Sequence, residues 1–182
     1  MFKTIIEDIL QRIRNLNLKI KYICMGILSS TMLFSNLSHA IVTSNSIDPE
    51  KIIGKWQCSD QMDYMDISLK ETSKIEFEKS GIYQETSKLL ATKAREKANY
   101  DIKLTAKWVL DQNTLTLDHY KATSFKVDNP ALEQDLKMQD AINDPDPTQF
   151  QIAELNDDKL VYKMILFDQV MDQYQIECKR SH

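Results

Sequence analysis

The sequence predicts a mainly β domain, an antiparallel up-and-down barrel of about eight strands with one helix inserted before the last two. Three observations carry this. Apolar and polar residues alternate in short runs separated by Asn, Asp and Gly turns, as in hairpin-linked strands with one buried face. The opening run, Ile52-Ile53-Gly54-Lys55-Trp56-Gln57-Cys58, puts Trp56 and Cys58 on one face, and the closing run Tyr174-Gln175-Ile176-Glu177-Cys178-Lys179-Arg180 does the same for Cys178 and Arg180. Set antiparallel with Cys58 opposite Cys178, the two strands also bring Trp56 opposite Arg180. One register thus yields a disulfide and a guanidinium against an indole, and a sheet whose first and last strands pair is closed.

Residues 1–40 read as a cleavable signal peptide. Lys3, Arg12, Arg14, Lys19 and Lys21 outweigh Glu7 and Asp8, a mostly apolar run spans 22–37, and Ser38-His39-Ala40 supplies a small-x-small cleavage site. Ser29, Ser30, Thr31, Ser35 and Asn36 interrupt that run, which argues against a membrane anchor. Residues 41–50 form a polar lead-in and 51–182 the barrel domain. Removing 1–40 leaves 18 basic and 25 acidic side chains, a net charge of −7 in place of −4. That balance excludes the basic stripe needed for nucleic acid or an anionic membrane surface. Cys24 leaves with the signal, and the two remaining cysteines of an exported chain are expected to form one disulfide, Cys58–Cys178.

The elements follow in order. After the first strand, Asp60 to Asp63 is expected to turn the chain. Met65, Ile67 and Leu69 then alternate with Asp66, Ser68 and Lys70, and a break near 71–73 leads to Ile75 and Phe77. Lys79-Ser80-Gly81 is a tight turn in which Gly81 supplies positive φ, and residues 82–88 return. Residues 89–99 fit two readings, a strand continuing into a polar hairpin or a short helix favoured by Leu90 to Ala98. Ile102, Leu104, Ala106, Trp108 and Leu110 make the clearest strand. Asp111-Gln112-Asn113 turns it, and Leu115, Leu117 and His119 lie in phase on the return, His119 as a barrel-end histidine. Asn129 caps and Pro130 begins a helix over 130–142, stopped by Asn143-Asp144-Pro145-Asp146-Pro147, which lacks the ligand pattern of a calcium loop. Strands then begin at Phe150, run from Leu160 to Phe167, and close with Tyr174 to Arg180 after a looser connection at 168–172. With 3 glycines in the chain, most turns fall to Asn and Asp.

A nucleophile elbow, a phosphate loop, a Cys–His pair and an HExxH helix are all absent. No catalytic residue is assigned and the expectation is a non-enzymatic protein without a cofactor. Two cysteines with His119 and His182 make no zinc set. Lys, Glu, Gln and Asp at outward strand positions exclude a lipid-facing barrel, so the mature chain is not expected to insert into a membrane.

Gly54-x-Trp56 on the first strand, with the basic Arg180 of the last strand against that tryptophan, resembles the barrel-closing signature of lipocalins and their calycin relatives. Phe77-Glu78-Lys79-Ser80-Gly81-Ile82-Tyr83 is similar to a hairpin of small secreted bacterial lipocalin-like domains. The resemblance covers about residues 50–180. It implies a lipocalin-like barrel that takes a small apolar ligand at its mouth, with Tyr83 and Trp108 as inward aromatics lining the pocket. The alternative is an interaction or inhibitor-type envelope protein acting through its loops or the 130–142 helix, its acidic surface suited to a basic partner. Either reading places a monomer in the periplasm or outside the cell.

Overall fold

The computed structural model describes residues 47–143 and 146–181, so the expected signal segment and most of the lead-in lie outside the described residues. Eight antiparallel strands close into a barrel in simple sequence order: β1 (Gly54–Tyr64), β2 (Ile67–Phe77), β3 (Ile82–Lys93), β4 (Glu96–Asp111), β5 (Thr114–Val127), β6 (Thr148–Leu155), β7 (Lys159–Leu166) and β8 (Gln169–Arg180). Two short helices, α1 (Pro130–Leu136) and α2 (Met138–Ile142), lie between β5 and β6. Three strands therefore follow the helical insertion, rather than two. Inward positions alternate along each strand, as with Ala98, Tyr100, Ile102, Leu104 and Ala106 of β4, all buried.

The seam lies where the terminal runs predicted it. Trp56 is opposite Arg180 and Cys58 opposite Cys178, and the cysteines are bonded. Ser181 N donates to Lys55 O at 2.9 Å, which makes 55/181 a hydrogen-bonded pair and Cys58/Cys178 a narrow pair of the alternating ladder. The Cα atoms of the cysteines are 4.0 Å apart, in keeping with that position. The Arg180 Cζ lies 4.1 Å from the Trp56 ring centroid. Its Nη1 donates to Ile53 O at 2.9 Å and its Nη2 to Lys51 O at 2.6 Å, while Nε donates to Asp157 O. One side chain thus ties the last strand to the 3-10 turn Pro49–Lys51 and to the β6–β7 turn. Trp56 Nε1 donates to Ile52 O at 2.8 Å, and Ile52 itself is fully buried in this end of the barrel.

Several elements run longer than the sequence suggests. No turn forms at 60–63 and no break at 71–73, because Asp60 and Glu71 sit inside continuous strands. Residues 89–99 belong to β3, a two-residue turn at Ala94 and Arg95, and β4; pairing with β2 and β4 overrides the helical propensity of Leu90 to Ala98. Residues 169–172 are the start of β8, not a loose connection. The positive-φ positions of the hairpins fall on Met65, Ala94, Gln112, Phe167 and Asp168 as well as Gly81, so residues other than Asn and Asp carry much of the turning.

The helix predicted over 130–142 starts as expected: the Asn129 side chain accepts from Leu132 N and Pro130 is the first helical residue. It then breaks at Lys137, which adopts φ 51°. The reason lies in the spacing of the apolar residues. Leu132 and Leu136 share one face, but Met138 follows two residues later, about 200° around a continuous helix of 3.6 residues per turn. The left-handed residue restores the phase, so Leu132, Leu136, Met138 and Ile142 all enter the core and cover the barrel end opposite the Trp56–Arg180 plug. Lys93 at the β3–β4 turn pairs with Asp135 at 3.0 Å and pins α1 there. No helix among the described residues is long and apolar enough to cross a membrane.

Candidate functional site

With both ends covered, the interior keeps a cavity of about 60 Å³ at mid-barrel, and every strand contributes to its wall. Its polar lining is unusual for a small barrel. Asp60 comes from β1, Glu71 from β2 and Glu85 from β3, joined by the phenols of Tyr83, Tyr120 and Tyr162. Leu104, Leu117, Phe150, Met164 and Ile176 complete the wall with Cys58 and Ser73, and no Lys, Arg or His is among the lining residues.

The three carboxylates are inward because of strand phase alone. Asp60 follows Trp56 and Cys58 at alternate positions and precedes Met62; Glu71 lies between Leu69 and Ile75 on the buried face; Glu85 lies two residues beyond Tyr83. Asp60 and Glu71 are direct cross-strand partners, a juxtaposition that costs stability when both are charged. Burial, and then the charge of Glu85, pushes the Asp60 carboxyl up to about 7. Glu71 is only 7% exposed, and burial, followed by the charges of Glu85 and Asp60, holds its carboxyl well above the usual range. Its Oε1 makes no close hydrogen bond, and neither does Ser87 Oγ, although Ser87 and Glu85 both stand near enough to act on the Glu71 carboxyl. Tyr83 Oη donates to Glu85 Oε2 at 2.6 Å. Burial is also the main cause that raises the phenols of Tyr83, Tyr120 and Tyr162, so all three stay protonated donors near neutrality.

Tyr120 reaches this site through a bulge. Thr105 is opposite Lys121 but Lys107 is opposite Asp118, so β5 carries an extra residue there, with His119 at φ 56°. The bulge shifts the phase of β5: Leu117 points inward, His119 outward, and Tyr120 inward again. His119 is therefore not the in-phase barrel-end histidine expected. It is exposed, with Nδ1 2.9 Å from Asp118 Oδ2.

The two aromatics predicted to line one pocket are separated. Tyr83 lines the cavity. Trp108 does not; its Nε1 donates to Glu78 O at 2.9 Å and its ring meets Phe77 edge-on at 5.6 Å, so it packs under the β2–β3 turn. Gly54, Trp56 and Arg180 form the plug, with no part in the cavity wall. Asp60, Glu71 and Glu85 went unassigned in the sequence, although a carboxylate in phase with an apolar strand face is a signal for an interior acid.

Beyond Ser59 and Glu177, β1 and β8 no longer pair. A groove lined by Met62, Met164, Tyr174 and Ile176 occupies this opening, and Asp60 belongs to both the groove and the cavity. No family model matches this chain, and a search of curated proteins finds no significant relative.

Proposed function

We propose that the chain is an exported, non-enzymatic, lipocalin-like binding protein, acting as a monomer, that holds a small ligand inside its barrel. The observation that carries this reading is the mid-barrel cavity with the orphaned, buried Glu71 oxygen on its wall. A buried acceptor without a partner costs roughly 1–3 kcal/mol, and a ligand that supplied the missing donor would remove that cost. The sequence suggested an apolar ligand at the barrel mouth. The covered ends and the polar lining favour instead a small ligand with a polar group, reached from the side. Native mass spectrometry of protein purified from the periplasm or medium tests the reading. A bound small molecule released on denaturation is expected, and a mature chain beginning at Ile41; an empty protein, or one starting at Met1, counts against it.

One observation favours a second reading as an interaction protein. Beyond Ser59, the edge of β1 turned away from β2 has no β8 register partner, a natural place for an added strand. Met65 and Val170, both exposed, stand at that end of the barrel. A protein partner retained by the exported chain, and lost on placing a proline at Gln61, would support this alternative.

A further inference from the structure

We infer that the cavity is a binding site for a small primary ammonium ion, its head among Asp60, Glu71 and Glu85 and its short alkyl stem against Leu104, Leu117 and Met164. The inference rests on the binding reading above and adds the charge class of the ligand.

Three carboxyl groups from adjacent strands line one interior space with no basic side chain in its wall to neutralise them. Such groups stay neutral by holding protons, or they are paired with a cation. The Glu71 Oε1, on a residue more than nine-tenths buried, is left without a donor. Ser87 and Glu85 approach the carboxyl without closing a hydrogen bond to that oxygen, no phenol bonds to it, and Tyr83 gives its hydrogen to Glu85. Among the described residues, no three His, Cys, Asp or Glu side chains are grouped closely enough to hold a metal ion. An ammonium head suits this arrangement better, because its three N–H donors can reach separate acceptors. A cavity of about 60 Å³ has room for about four water-sized groups, which limits the ligand to a few carbons beyond the nitrogen. The groove between β1 and β8 provides the way in, and Asp60 stands where groove and cavity meet.

Such a ligand competes with protons. The groups facing the site are Asp60 of β1, Glu71 of β2, Tyr83 and Glu85 of β3, Tyr120 of β5 and Tyr162 of β7. The phenols remain neutral, so binding draws on the carboxyls, and with Asp60 titrating at about 7 the affinity should rise about tenfold from pH 6 to pH 8.

Calorimetric titration with propylammonium chloride at both pH values tests this, with 1-propanol and sodium propionate as neutral and anionic controls of similar size. Propylammonium alone is expected to bind, more tightly at pH 8. Glu71→Gln should weaken it at least about tenfold, the loss of a charged hydrogen bond; near-ultraviolet circular dichroism confirms that this near-isosteric variant folds. Failure of propylammonium to bind, or equal binding by propanol, overturns the inference. If propanol or propionate binds in its place, the charge class falls and the binding reading survives. If none of the three binds and the natively purified protein is empty, both fall.

Discussion

Asp60 and Glu71 face one another across β1 and β2 with both side chains turned into the barrel. Two acids in direct opposition on a buried face are a poor choice for stability alone. A barrel of this size needs only apolar side chains to fill it. Retaining the pair, with Glu85 beside it, sets the interior apart from a plain hydrophobic core and marks a place where this fold departs from what packing requires.

That departure has a pH signature. In the unfolded chain both carboxyls release their protons near pH 4; in the folded protein Asp60 holds its proton to about 7, and Glu71 is also raised. The folded state therefore binds more protons between those limits, and this contribution to stability falls as pH rises through the window. Glu71→Gln removes one of the two titrations. It should be more stable than the wild type at pH 8, by about 1–3 kcal/mol, with the two converging below about pH 4. Urea denaturation at pH 4, 6 and 8 checks this; a variant less stable than wild type at pH 8 would show that the ionised carboxylate is satisfied within the barrel.

Gly54 makes the closure possible. Its φ is 123°, and a Cβ built there would lie 2.8 Å from Arg180 Nη1. Gly54→Ala should therefore strain the backbone and push the guanidinium off the indole, at a cost of about 2–4 kcal/mol. Equilibrium unfolding measures it. A loss under about 0.5 kcal/mol, the range of ordinary surface changes, would mean that the seam does not need the glycine.

Trp56 and Arg180 are expected to be structural. Trp56→Ala should cost about 3–5 kcal/mol, since a fully buried indole leaves a cavity that the plug cannot collapse to fill. Arg180→Lys keeps the charge but loses the planar fork that reaches three carbonyls while lying on the ring, so a smaller loss of about 1–2 kcal/mol is expected. The pair should behave as one unit. In a double-mutant cycle, Arg180→Lys made in the Trp56→Ala background should cost less than it does alone.

The seam was legible in the sequence because two cysteines pin a register, and a register places every other residue of both strands. The interior acids were less so. Glu71 sits in phase with Leu69, Ile75 and Phe77, yet a charge inside an apolar alternation reads as an interruption unless burial is entertained. Tyr120 was beyond reach, because a bulge at His119 changes the phase of β5 and nothing in the local composition marks it. The break at Lys137 had a visible cause, the two-residue step from Leu136 to Met138, which no continuous helix can place on one face. The end of pairing between β1 and β8 came from barrel geometry, which strand patterns do not specify.

The short seam between β1 and β8 depends on the disulfide that crosses it. β1 and β8 share four register positions, Trp56 to Ser59, and one further bond from Ser181 N to Lys55 O, whereas β3 and β4 pair over twelve positions. Backbone hydrogen bonds alone therefore secure the seam weakly, although β7 holds the other edge of β8, and the Cys58–Cys178 bond sits within the four. It joins residues 120 apart in sequence, so its effect on the unfolded chain is near the upper end for such a link, about 5 kcal/mol by chain entropy and about 2–5 in practice. Reduction, or the Cys58→Ala/Cys178→Ala double variant, should lower the melting temperature by on the order of 10 °C and expose the β8 amides to hydrogen exchange before those of β3 and β4. The order of exchange is the sharper test. If β8 stays as protected as the β3–β4 pair once the bond is gone, the Arg180 contacts are sufficient to close the barrel and the disulfide only raises the energy of the unfolded chain.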